Sequence, residues 1–196
     1  MPKLVVDSCG LLHAKQLSAL SLLDTCIVRG AWTVTSSKAV YGEQVEMTLS
    51  SWLSSHDVRP EKVRRTRAIA VQGRCRKNHI AGRKDCGVVA LAKDEWAVLW
   101  THDEAAGLVA NRLKVVTVDI CDIGDFAEHN GWLAWSQIEN TLAGLQNFAW
   151  RPDDWKGGVE STVKARSYRD KLLHRMTDWQ GPSRSEEASA EPDSLS

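Results

Sequence analysis

Four carboxylates in this chain stand where a metal site would need them. Asp7 ends the apolar run Lys3-Leu4-Val5-Val6, and Asp103 follows the apolar run Ala97 to Thr101. Asp85 opens the Ala-rich helical stretch DCGVVALA, and Glu43 lies one to two turns into a helix that follows a β-branched run. Carboxylates gathered on one rim repel each other and are costly unless a cation sits between them. Mg2+ or Mn2+ takes hard oxygen ligands of this kind, usually a few carboxylates plus water and substrate phosphate oxygens. Such a site can activate water and clamp a scissile phosphodiester. The sequence leaves open one metal or two. Each acid also has an ordinary reading. Asp7, Asp85 and Asp103 can cap a turn or a helix, and Glu43 can be a solvated helix residue. Glu104 reads as first-turn helix charge, with a supporting role beside the site as the lesser alternative.

The elements that would position these acids follow from apolar spacing. Lys3 to Val6 reads as a buried strand, residues 10–28 as a helix, and Trp32 to Thr35 as a second strand. Ser36-Ser37 offers an N-cap for a helix from about Lys38 to Leu53. Residues 56–82 are polar and basic, with Pro60 a first-turn residue of another helix and 70–82 a loop broken at Gly73 and Gly82. A helix then opens at Asp85, a strand runs from Ala97 to Thr101, and a helix from Glu104 to Leu113. A strand from Val115 to Val118 and helical stretches near 122–130 and 136–147 complete the series. Strands and helices alternating at short spacing predict an α/β fold with a parallel sheet and helices on both faces. In such sheets ligands bind outside the carboxyl ends of the strands, where Asp7 and Asp103 would lie. Beyond Trp150 the pattern breaks: Val159 to Trp179 reads as a charged helix, and PSRSEEASAEPDSLS as disordered.

Composition bounds the partners. The 196 residues are 43% hydrophobic with zero formal net charge. No apolar run approaches the roughly 20 residues of a membrane helix, and the N-terminus lacks a signal-peptide layout, so a cytoplasmic protein is expected. Cys9, Cys26, Cys75, Cys86 and Cys121 are scattered, with no CxxC pair, and read as reduced thiols. Charge is uneven. From Arg59 to Lys84 ten basic residues face Glu61 alone, a local charge of +9 that the rest of the chain balances. That is a footprint for a polyanion or an acidic partner, or else a solvated helix face.

Other constellations are weaker. His102 beside Asp103 reads as a solvated or supporting residue, and His13 and His79 carry no pattern. Ser8 and Cys9 have no His/Asp pair placed to activate them. Trp96, Trp100, Trp132 and Trp135 read as packing residues, and Trp52, Trp155 and Trp179 as marks of a partner interface. An Asp after the first strand also occurs in dehalogenase-like phosphatases, but Asp7-Ser8-Cys9 lacks their second acid. Von Willebrand-type sites need a D-x-S-x-S run that Gly10 and Leu11 break. A receiver domain would need an acidic partner next to Asp7.

Over residues 1–125 the chain resembles PIN-domain proteins, and among them the VapC-type toxin ribonucleases. LVVDSCGLL matches their first strand ending in Asp, and Val40-Tyr41-Gly42-Glu43 matches a V-x-x-E pattern, with Glu46, one turn on, as a substitute for Glu43. Asp85 in DCGVVALA matches the third acid, and Thr101-His102-Asp103 a T-x-[DN] pattern. The basic stretch and the C-terminal extension depart from the family. The resemblance implies a PIN-like three-layer fold, with a sheet of four to five strands flanked by helices. It implies a nuclease domain over residues 1–150 with a basic insertion at 55–84, a helical extension at 151–180 and a tail at 181–196. It implies Mg2+ or Mn2+ held by Asp7, Glu43, Asp85 and Asp103, with Thr101 and Ser8 in support. It also implies RNA cleavage, with phosphates held by Arg64, Arg65, Arg67, Arg74, Arg76 and Lys77. An antitoxin or other protein partner, a homodimer, and a toxin or phage-defence role belong to the same implication. The alternative is a PIN-like module of weak catalysis that binds RNA or protein and works through a partner.

Overall fold

The computed structural model describes residues 3–46, 48–75 and 81–147. The chain runs β1 (Lys3–Val6), α1 (Ser8–Gln16), α2 (Leu20–Gly30), β2 (Thr33–Ser37), α3 (Lys38–Glu46), α4 (Ser50–Ser55), β3 (Arg59–Glu61), α5 (Arg65–Gln72) and α6 (Arg83–Asp94). It continues through β4 (Val98–Trp100), α7 (Glu104–Arg112), β5 (Thr117–Val118), α8 (Ile120–His129) and α9 (Trp135–Leu142), then a 3-10 turn at Ala143–Asn147. All five strands are parallel, in the order β3-β2-β1-β4-β5. The α/β class with a parallel sheet flanked by helices is therefore as expected.

The pleat sorts side chains into two cores. Leu4 and Val6 of β1, with Val98 and Trp100 of β4, face a core built with α1, α2, α4, α8 and α9. Val5 and Leu99 point the other way, into a second core made by α5, α6 and α7. This period of two, with both faces covered, is why these strands read as continuous apolar runs. Helices thus lie in a layer on each side of the sheet.

The strand order reverses its direction once within the sheet. From β1 the chain moves to β2 and β3 on one side; from β4 it moves to β5 on the other. β1 and β4 are hydrogen-bonded neighbours, so the direction of winding reverses between them. In doubly wound sheets, ligands bind at such a point, beyond the strand carboxyl ends. The residues leaving β1 and β4 there are Asp7 and Thr101-His102-Asp103.

Several expected elements are corrected. The helix expected over 10–28 is two helices, broken where Ser18 takes φ 55°, and that over 38–53 is broken where Thr48 takes φ 60°. No helix starts at Pro60. Arg59-Pro60-Glu61 is instead a short edge strand on β2, and the helix starts at Arg65. Three exposed residues, two of them charged and one a proline, make an edge that resists pairing with another chain. The basic segment so supplies the sheet edge and α5, which packs into the second core through Ala68 and Val71. Trp52 is buried and its Nε1 donates to Asp24 Oδ1 at 2.7 Å, so it is a core residue rather than an interface mark. Trp96, expected in the core, is 46% exposed and sits at φ 51°. The expected helix at 151–180, the tail at 181–196, Trp155, Trp179 and His79 lie outside the described residues. Among the described residues no helix is long and apolar enough to cross a membrane.

Candidate functional site

Asp7 is the N-cap of α1 and is only 3% exposed. Its Oδ1 accepts the Ser8 N–H at 2.7 Å. Its Oδ2 accepts the Cys9 thiol at 2.9 Å and the Thr101 hydroxyl at 2.8 Å. Burial holds the Asp7 carboxyl above the usual carboxylate range; these hydrogen bonds oppose the shift, and the Asp103 charge adds to it. The Cys9 thiol is pushed far up by burial and by the neighbouring Asp7 charge, which keeps it a protonated donor.

Thr101 joins the two strand ends. Its Oγ1 also receives the Asp103 N–H at 3.1 Å. Asp103 is the N-cap of α7, and its Oδ1 accepts the Ala106 N–H at 2.6 Å. Asp85 does not open its helix as expected. α6 starts at Arg83 with Gly82 as N-cap, and Asp85 is the third residue, its Oδ2 accepting the Gly82 N–H at 3.0 Å. A Cβ at Gly82 would stand 2.6 Å from that oxygen, so glycine is what lets the carboxylate approach. Asp85 is raised above the usual carboxylate range, first by burial and then by the charges of Asp7 and Asp103, with a smaller push from Glu43. Asp7, Asp103 and Glu43, carried by other elements, are thus near enough for their charge to act on Asp85.

Glu43, on α3, is tied to this rim through Ser8, whose hydroxyl donates to its Oε2 at 3.0 Å. Its Oε1 pairs with Lys84 Nζ. Glu46 is exposed and contributes only to the attraction on Lys84. Beside Glu43, Gln44 is fully buried; its Nε2 donates to Val6 O at 3.3 Å and its Oε1 has no hydrogen-bond partner.

His102 is buried at 8% exposure rather than solvated. Its Nε2 lies 3.3 Å from Trp100 Nε1 and 3.2 Å from the Ile120 N–H, both donors. Nε2 is therefore an acceptor, and the neutral ring carries its proton on Nδ1, facing His13 Nδ1 at 3.0 Å. The two rings stack at 5.2 Å. Burial lowers the His13 pKa, in keeping with a neutral pair. This pair braces the Thr101–Asp103 corner against α1 and α8. A further acid, Asp119, ends β5 on the same side of the sheet and caps α8 through the N–H groups of Cys121 and Asp122. Its position after the Val115–Val118 run was the signal that marks it.

The basic candidates separate. Arg67 pairs with Asp94 at the end of α6, while Asp85 is in its first turn, nine residues and about 13 Å along the axis away. Arg64 and Arg65 start α5 at that same remote end and are exposed. Arg67 and Arg74 line a cavity of about 150 Å³ with Lys93 and Asp94, and the Arg74 carbonyl accepts from Arg112 Nη1 at 2.7 Å. Arg76 and Lys77 lie outside the described residues. Among the described residues the cation paired with an acid of this rim is Lys84, which the sequence places in the basic stretch without setting it apart.

Carboxylate oxygens from four elements are the donor set a hard divalent cation takes, and Lys84 already brings one positive charge to it. As the side chains stand, no group of three or more His, Cys, Asp or Glu residues among the described residues is disposed to share a metal ion. Glu43 is engaged by Ser8 and Lys84, and Asp85 and Asp103 by backbone N–H groups. Compared with known proteins, the chain matches no family model and no curated protein.

Proposed function

We propose that this protein is a Mg2+- or Mn2+-dependent endoribonuclease of PIN-like design that hydrolyses RNA phosphodiester bonds, and that it serves as the toxin of a toxin–antitoxin or phage-defence pair. The observation that carries the reading is the placement of Asp7 and Asp103 at the winding reversal, joined through Thr101, with Glu43 tied to the same rim through Ser8 and with Asp85 raised by burial first and then by the charges of the other acids. Asp7, Asp85 and Asp103 would hold the cation, with Glu43 joining once released from Lys84. When bound, the ion supplies charge for phosphate oxygens and a water acidified toward hydroxide. Thr101 and Ser8 orient carboxylates, since each hydroxyl donates to one acid. Buried Asp7 is kept from swinging by three donors, which makes it the fixed point of the site.

The test is cleavage of single-stranded and structured RNA by the purified chain. Cleavage should require Mg2+ or Mn2+, stop on EDTA, and be lost in Asp7→Asn and Asp103→Asn. Binding of RNA that is indifferent to EDTA and to both substitutions would overturn the nuclease reading. It would favour a PIN-like module that acts through a partner, a reading supported by the helix-capping bonds of Asp85 and Asp103. Arrest of growth on expression separates a toxin from a housekeeping nuclease.

A further inference from the structure

We infer that Lys84 and a divalent cation compete for Glu43, so that Lys84 sets how tightly the acidic rim takes metal. The inference rests on the metal-binding reading above. Both oxygens of Glu43 are committed: Oε2 accepts the Ser8 hydroxyl, and Oε1 is held by the Lys84 ammonium. Lys84 is the residue just before Asp85, so its stem leaves the same helical turn that presents the third acid. Glu46 and Asp85 add to the attraction that Glu43 exerts on it. The ammonium therefore stands inside the acidic field and partly neutralises it.

Exchange is inexpensive for three reasons. The Lys84 and Glu43 side chains are 57% and 28% exposed, so water screens the pair. A lysine carries its charge on a flexible four-carbon stem and can leave without moving α6. A divalent ion brings twice the charge, and it needs a carboxylate oxygen stripped of other partners. Glu43 Oε1 serves one cation or the other. Ser8 keeps the carboxylate in place at Oε2 during the exchange.

The test titrates Mn2+ alone into the full chain and follows free Mn2+ by electron paramagnetic resonance. Four proteins are compared at fixed ionic strength: wild type, Lys84→Ala, Glu43→Gln and the double variant. Circular dichroism and thermal midpoints confirm that each is folded, which an exposed Lys84 makes straightforward. Lys84→Ala should lower the Kd for Mn2+ by about two- to fivefold, the range expected from removing an exposed competing ion pair. In the Glu43→Gln background the same substitution should leave Kd unchanged, and Lys84→Arg should keep the wild-type value within about twofold. A gain that persists in full without the Glu43 charge would overturn the inference, because it would be a general field effect. Wild-type binding that is lost in Asp103→Asn but unmoved by Lys84→Ala would also overturn it and leave the metal reading standing. Absence of Mn2+ binding in both wild type and Lys84→Ala would overturn both.

Discussion

The Thr101 hydroxyl donates to Asp7 Oδ2 at 2.8 Å and receives the Asp103 N–H at 3.1 Å. One oxygen so joins the acid that ends β1 to the acid that follows β4, across neighbouring parallel strands. Thr101 is buried, and its one hydroxyl reaches both partners. A T-x-D spacing acquires a reason here: the hydroxyl turns the chain toward α7 while holding Asp7 in place.

Replacing Thr101 by valine keeps the shape and removes the hydroxyl. Asp7 then loses a donor and the Asp103 N–H loses its acceptor in a buried setting. The expected loss of stability is about 1–3 kcal/mol by urea unfolding. Metal-dependent RNA cleavage should fall by at least about tenfold, since the two acids lose their shared tether. Thr101→Ser should restore most of both. A valine variant as stable and active as wild type would show that the tether does nothing.

Stability without metal should depend on pH with a stated sign. Burial raises the folded-state pKa of Asp7, and burial together with the Asp7 and Asp103 charges raises that of Asp85. Between the unfolded value and the raised folded value the native state binds more protons, so stability falls as pH rises through that window. Above the folded values both states are ionised and the penalty is complete. The Asp7 and Asp85 contribution, read as the wild-type minus Asp7→Asn difference in urea midpoint in EDTA, should therefore decline as pH rises above about 4. Buried His13, whose pKa is lowered, contributes the opposite slope to both proteins below about pH 6.5 and cancels in the difference. Asp7→Asn removes one buried charge and relieves Asp85, so the difference isolates both. A wild-type minus Asp7→Asn difference that rises with pH would contradict the burial of ionised Asp7.

Arg67 pairs with Asp94, remote from Asp85 on α6. Arg67→Ala should cost no more than about 1 kcal/mol of stability, as exposed pairs do. It should leave the salt slope of RNA binding unchanged if the phosphate path runs over the acidic rim. A slope reduced by about one would return Arg67 to the RNA-binding surface.

Thr48 ends the α3 segment in the left-handed region at φ 60°, a costly place for a β-branched residue. Thr48→Gly should stabilise the fold by about 0.5–1 kcal/mol, read as a shift in thermal midpoint. The exposed contact it makes with Lys15 is too weakly held to reverse the sign.

The strands ending on Asp7 and Thr101 are legible in the sequence because both faces of β1 and β4 are covered, which enforces continuous apolar runs. β3 is not legible, because an exposed three-residue edge with a proline has neither alternation nor an apolar run. The breaks at Ser18 and Thr48 carry no glycine or proline, so helical periodicity runs through them. Asp7 and Asp103 are legible from strand ends, and Asp85 from a helix start that the structure places two residues earlier, at Arg83. The contacts that arrange them are not. His13 meets His102 and Lys84 meets Glu43 across long stretches of chain, and nothing local in either member announces the other. Basic residues that look continuous in sequence are divided by α5 lying antiparallel to α6, with Gln72 bonded to Ala81 at one end and Arg67 to Asp94 at the other.

The most direct measurement is a crystal of the protein soaked in Mn2+ and recorded for anomalous scattering. The account predicts a peak bounded by carboxylate oxygens of Asp7, Asp85 and Asp103, with Glu43 turned from Lys84 toward the ion. Oxygen distances near 2.1–2.2 Å are expected, close to those of comparable divalent ions. A soak at saturating Mn2+ that leaves this rim without a peak, with Lys84 still on Glu43, would contradict it.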